Sequence, residues 1–187
     1  MLGPHAATAL ALVDSYGAVA VFAVFALEGA LVGKVLPART LFVAAVVAVG
    51  VEAVAVLPVF AAAVVGATVG QSAVFVAVRR FDADPTSLSV VPVSDDALDG
   101  VARWFDRWGL PAVAASNAVP GTRGWLAVPT ANAPSVSAPR FAAASLVGSA
   151  VYAGALLAVG IAVALGFGSA SALLGADLTA AQLIAGL

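Results

Sequence analysis

Three long apolar runs alternate with two segments in which proline and charge interrupt the same kind of apolar sequence. The runs cover residues 6–30, 51–78 and 139–167. Asp14, Ser15 and Gly17 interrupt the first, which predicts a short interfacial helix followed by a span over residues 17–28. The second begins near Glu52, carries Pro58 as a candidate kink and ends at Arg79-Arg80. The third opens on Pro139-Arg140 and is dense in small residues. Residues 169–187 are weakly amphipathic and have no charged anchor, so the pattern leaves open whether they span. A helix needs about 20 apolar residues to cross a bilayer. The pattern therefore predicts an all-α polytopic membrane protein with three to four transmembrane helices, in a single integral membrane domain over residues 1–187.

The two broken segments read differently from the runs. In residues 33–50, Pro37 lacks an N–H and biases Leu36 away from helix, and Lys34 and Arg39 precede only a short apolar stretch. In residues 110–134, Pro111, Pro120, Pro129 and Pro134 with Gly121 and Gly124 forbid a straight membrane helix. Broken backbone and charge are tolerated at membrane depth where they line a cavity or are buried in protein. Both segments are therefore predicted to be re-entrant helical hairpins, the second turning near Pro120-Gly121. A matched pair of broken segments in two halves of a chain is a pointer to a transporter site.

Between them, residues 79–109 form the one plainly aqueous stretch. Ser94 can cap a helix, and Asp95 and Asp96 suit its positive end. Leu98, Val101, Phe105 and Trp108 make one stripe, Asp99, Arg103, Asp106 and Arg107 the other face, and Gly109 stops the helix. Such a helix lies on the membrane surface or docks against the bundle. Arg79, Arg80, Arg103, Arg107 and Arg140 gather on this side, so the positive-inside rule predicts that 79–109 is cytoplasmic and that the hairpins enter from opposite faces. Gly66-Ala-Thr-Val-Gly70 and the Ala150/Gly154 pair are candidate helix-packing surfaces, a weak signal in so Gly- and Ala-rich a chain.

Composition agrees with a bilayer. Hydrophobic residues make up 63% and charged residues 10%, against about 25% charged in soluble domains, and the mean hydropathy is +1.09. A net charge of −2 with no basic tract argues against nucleic acid. The absence of cysteine excludes disulfides and Cys-based metal sites. The start lacks a Lys or Arg n-region, so the first apolar segment is expected to remain in the mature protein. His5 is the single histidine, which makes Ser–His dyads and His metal sites implausible, and there is no P-loop. No enzyme activity, catalytic residue, metal site or cofactor is expected. The oligomeric state, a homo-oligomer included, stays open.

The polar residues left in apolar surroundings are Glu28, Lys34, Arg39, Glu52, Asn117, Arg123 and Asn132. A carboxylate in hydrocarbon can carry a proton or serve as a counter-charge. An arginine stays charged and can hold a phosphate with its planar fork. Thr122, at the predicted turn before Arg123, adds a hydroxyl beside backbone N–H groups that a Gly turn exposes. Each has a plainer alternative. Glu28 could pin a hairpin through Lys34 or Arg39, Arg123 could snorkel to the interface, Glu52 could mark the wet start of a span, and Asn117 and Asn132 could cap backbone.

At these residues the chain resembles the DedA family, also called the VTT or SNARE-associated Golgi protein family. Phe25-Ala-Leu-Glu28 … Leu36-Pro37-Ala38-Arg39-Thr-Leu41 is similar to its Phe-x-Glu … Leu-Pro-Gly-Glu/Asp-x-Leu motif. Phe105-Asp-Arg-Trp-Gly109 … Asn117-Ala-Val-Pro120-Gly-Thr-Arg123 … Pro129-Thr-Ala-Asn132 is similar to its Phe-x-x-x-Gly … Arg-x-x-Pro-x-x-Arg … Pro-x-x-Ala-Gly motif. Phe141, Gly148, Tyr152, Gly66, Gly70 and Arg79 extend the likeness over roughly residues 20–165. Glu28 and Arg123 carry over; the family's hairpin acid is Arg39 here, its first arginine is Asn117, and its Ala-Gly pair is Ala131-Asn132.

The resemblance implies a lipid transporter of flippase or scramblase type, acting on an anionic phosphate-headed lipid such as a polyprenyl-phosphate carrier. Arg123, Arg39, Thr122 and Asn117 would face the head group, with Glu28 as proton site or counter-charge. The Arg39 and Asn117 departures weigh more against proton coupling than against lipid handling; Arg39 could restore the positive charge lost at Asn117. The alternatives are a non-transporting scaffold or assembly factor, and a small-solute or ion transporter on the same frame.

Overall fold

The computed structural model describes residues 17–30, 37–81, 95–119, 123–124 and 126–174. They form helices α1 (Ala18–Gly29), α2 (Ala38–Val49), α3 (Ala53–Phe81), α4 (Asp95–Trp108), α5 (Leu110–Ala118), α6 (Ala127–Asn132) and α7 (Ala138–Leu174). Among the described residues there is no strand.

Glycine and proline set the helix boundaries. Gly17 precedes α1 with φ of 51°, and Gly50 follows α2 with φ of 88°, conformations that side chains disfavour. Pro37 stands at the N-cap of α2, where its missing N–H has no intrahelical partner to lose. Gly109, φ 63°, separates α4 from α5. Arg79 and Arg80 close α3 at its negative dipole end.

Two described helices, Ala53–Phe81 and Ala138–Gly166 within α7, are long and apolar enough to cross a membrane. At 29 residues each, they rise about 44 Å, more than the ~30 Å of hydrocarbon. The segment expected over 17–28 forms a helix over nearly the same residues, Ala18–Gly29, which at 12 residues is about 18 Å long, shorter than the ~30 Å of hydrocarbon. Residues 38–49 likewise form one uninterrupted helix that ends at Gly50. No break falls within residues 38–49, and residues 33–36 of the expected hairpin lie outside the described residues. Residues 110–134 hold two helices, α5 and α6, rather than one, and the turn expected near Pro120-Gly121 lies outside the described residues.

Helix α4 ends at Trp108, as its pattern predicts, and Phe105 is buried. Trp108 is 57% exposed, so the buried stripe stops short of it.

Close backbone approach holds α1 on α3. A Cβ added at Gly29 would lie 2.5 Å from the Ala67 carbonyl oxygen, and one at Gly66 or Gly70 would collide with the carbonyls of Phe22 or Ala26. Gly66 and Gly70 stand one turn apart on the same face, so this GxxxG is a true packing surface. At Gly154 a Cβ would meet nothing within 4 Å, so the Ala150/Gly154 pair lacks that role. Gly148 performs it instead, letting α7 approach Ala114 and Asn117 of α5.

Two apolar clusters result. The first joins Phe25, Phe42, Val46, Ala67 and Tyr152, with Phe25 and Phe42 edge to face at 5.7 Å. The second joins Val74, Val113, Leu126 and Ala131 around Phe75 and Phe141, which stack at 4.5 Å. Along α3 the first cluster precedes the second, and along α7 the order reverses. The two long helices are therefore antiparallel.

Candidate functional site

A layer of polar side chains separates the two clusters. On α1, Glu28 lies between Phe25 of the first cluster and Ala30, packed on the second. On α3, Gln71 lies between Ala67 and Val74. On α7, Ser145 and Ser149 lie between Phe141 and Tyr152 and, four residues apart, share one helix face. The break between α5 and α6 delivers Arg123 into this layer.

Arg123 is 7% exposed. Its Nη1 donates to Glu28 Oε2 at 3.3 Å, an ion pair between side chains 8% and 17% exposed. Desolvation makes an isolated charge at such a depth costly, and the partner offsets that cost. The Arg123 guanidinium carbon also stands 3.9 Å from the Tyr152 ring centroid and 5.8 Å from that of Phe25. These are cation–π contacts, strengthened where water is excluded. The burial rules out an arginine snorkelling to the interface.

Arg39 reaches the same ring from the other side of the break. Its Nε donates to Tyr152 Oη at 2.9 Å. Tyr152 thus offers its face to one guanidinium and its hydroxyl oxygen to the other. Arg39 is exposed, and among the described residues its terminal nitrogens meet no hydrogen-bond partner. Among the described residues, the cluster therefore holds two guanidiniums and one carboxylate. That excess of positive charge, with free planar donors, favours an anion.

Asn117 serves the backbone. Its Oδ1 accepts from the Gly124 N–H at 3.0 Å, and its Nδ2 donates to Ser145 Oγ at 3.3 Å. The side chain closes the break around Arg123, and Gly124, with φ of 80°, makes the turn. Arg79 also holds backbone. Its Nη1 donates to the Val136 carbonyl and its Nη2 to the Ala133 carbonyl, while its guanidinium lies over Phe75 at 5.4 Å.

Of the other candidates, Glu52 is exposed at the start of α3, where its carbonyl accepts from Ala55 and Val56, and Asn132 is exposed at the end of α6. Lys34 and Thr122 lie outside the described residues. Among the described residues no His, Cys, Asp and Glu side chains group to hold a metal. Two apolar grooves, of about 290 and 430 Å³, flank Pro111 between Trp104 and Val147 and do not include the arginine cluster.

Sequence reasoning missed the contributions of Tyr152, Ser145, Ser149 and Gln71. Gln71 carried a signal, as the lone side-chain amide of the run 51–78. Tyr152 carried one only through the family likeness, since an aromatic in an apolar helix otherwise reads as core.

No curated protein and no solved structure matches the chain. A family model does, that of the VTT domain, over residues 36–162, which include Arg39, Asn117, Arg123 and Tyr152. Together with the two long apolar helices it supports a membrane protein. The chain belongs to the VTT domain family, the DedA family whose motifs its two broken segments carry.

Proposed function

We propose that the protein moves an anionic, phosphate-headed lipid, such as a polyprenyl-phosphate carrier, across the cell membrane as a flippase or scramblase. The observation that carries this reading is the buried Arg123–Glu28 pair joined through Tyr152 to Arg39, with one guanidinium in excess among the described residues, in the layer between two apolar clusters. In this reading the helices on either side of each break enter the membrane without crossing it and bring the arginines together at its centre. The central loop 79–109 faces the cytoplasm on the strength of its arginines. Arg39 receives the head group, because its fork is open, and Arg123 holds the site in shape while sharing the charge. Glu28 is the counter-charge; a proton-linked cycle would act on the same carboxylate. Asn117 supports the turn instead of touching lipid.

A scaffold without transport is the competing reading, favoured by how much of the polar chemistry, Asn117 and Arg79 above all, is spent on holding backbone. Lipid flux in vesicles containing the purified protein decides between them, measured beside melting in detergent. Arg39→Lys keeps the charge but loses the planar fork, and flux is expected to fall at least tenfold while the protein stays folded. Flux equal to wild type in Arg39→Lys would sink the fork-based mechanism, and absence of flux in the wild type would favour the scaffold.

A further inference from the structure

We infer that Gln71 and Ser149 are further binding residues of this site, donating neutral hydrogen bonds to the same phosphate-type anion. The inference rests on the anion-binding reading above. Both side chains are fully buried, at 0% exposure. Among the described residues neither amide atom of Gln71 nor the Ser149 hydroxyl has a hydrogen-bond partner, and the Arg123 Nε is unpartnered as well. Buried polar groups are nearly always satisfied, because leaving one unmade costs its full desolvation. Placing several in one layer demands a reason.

Their position supplies one. Gln71 lies on α3 between Ala67 and Val74, one turn before Phe75, whose ring stacks on Phe141 of α7. Ser149 lies one turn before Ala153 on α7, with Tyr152 beside it, and both belong to the first cluster. Both residues are thus at the level of Glu28 and Arg123. Thr130 Oγ1 is unpartnered too, but its neighbours Ala127 and Ala131 both belong to the second cluster, which puts it below the layer.

The chemistry fits an anion better than a core. An amide contributes two donor hydrogens and a hydroxyl one, whereas an oxyanion offers only acceptors. Neutral donors added to an excess guanidinium complete a tetrahedral anion's oxygens without adding charge that would need further compensation. Ser145, on the same face as Ser149, is already engaged by Asn117. The scaffold has therefore taken one serine of the pair and left the other unengaged.

A binding role and a structural role predict opposite signs. If the donors await a ligand, replacing them by apolar groups of like size removes a cost from the ligand-free protein and weakens binding. If they hold the fold, the same replacement lowers stability. The full chain in detergent would be titrated with geranyl phosphate and, separately, with inorganic phosphate, and melted without either. Gln71→Met and Ser149→Ala are each expected to melt at or above the wild-type temperature and to bind geranyl phosphate at least fivefold more weakly. Stronger binding of geranyl phosphate than of inorganic phosphate assigns the site to a lipid head group; equal binding assigns it to phosphate itself, with the donor role intact. Wild-type affinity in both variants overturns the inference and leaves the transport reading standing. A lowered melting temperature in both overturns it in favour of structure. A wild-type protein that binds neither probe removes the anion-binding reading, and this inference with it.

Discussion

The two breaks in this chain carry the same sequence signature, proline followed by arginine inside apolar sequence, yet the structure uses their arginines differently. Arg123 is buried, ion-paired and stacked on Tyr152. Arg39 is exposed and held by one hydrogen bond through its Nε. Their surroundings differ in the same sense. A side chain, Asn117, stitches the second break to α7. Beside the first, glycine-mediated backbone contact holds α1 on α3. A charge needs a partner in proportion to its burial. Arg123 has the deeper position, an ion pair and two ring contacts, while among the described residues Arg39 makes one hydrogen bond. One arginine is built into the frame and the other is presented.

The largest effect that could break this contrast is removal of the carboxylate. Glu28→Ala leaves the buried Arg123 charge without its counter-ion, and loss of one partner of a buried pair costs about 3–5 kcal/mol. The expected result is a sharp fall in melting temperature and no flux. Arg39→Ala, by comparison, should barely change melting. If the two substitutions destabilise the protein equally, the frame-and-presentation contrast is wrong.

Much of this frame was legible in the sequence. Proline and charge in apolar runs marked both breaks, the hydropathy of 51–78 and 139–167 marked the two long helices, and the Asp-rich start and Gly109 marked α4. The bounds of α1 were legible as well, because Asp14, Ser15 and Gly17 interrupt the run 6–30 and Gly17 turns the backbone at the start of the helix. The partner of Glu28 was legible only as a pair of arginines, Arg39 or Arg123. Lys34 and Arg39 are closer in sequence, and Glu28 pairs with Arg123, 95 positions away. Only the packing of α1 on α3, and of α3 on α7, decides that. Gly66 and Gly70 looked like any small pair in a Gly-rich chain until the backbone of α1 was found against them. Gly154, of equal promise, faces nothing within 4 Å. Spacing alone cannot distinguish these two cases.

A smaller effect is expected at the stitch. Asn117→Ala removes the acceptor for the Gly124 N–H and the donor to Ser145, leaving buried groups unmade, at about 1–3 kcal/mol. Asn117→Asp keeps the acceptor and should retain more stability than alanine does. Melting in detergent measures both. Should alanine and aspartate cost the same, the Gly124 contact is not what holds the break.

The smallest expected change in stability is the most discriminating for function. Tyr152→Phe keeps the ring on which Arg123 stacks and deletes the oxygen that accepts from Arg39 Nε. One hydrogen bond to a charged donor at a partly exposed site is worth about 1 kcal/mol or less to the fold. The Arg123–Glu28 pair should be untouched. Arg39, however, would lose the contact that holds its guanidinium toward the layer. Flux is therefore expected to fall severalfold with melting almost unchanged, and Arg39→Ala in the same background should add little. If Tyr152→Phe transports like wild type while Arg39→Ala does not, Arg39 acts without the tyrosine, and the two arginines belong to separate steps rather than to one site.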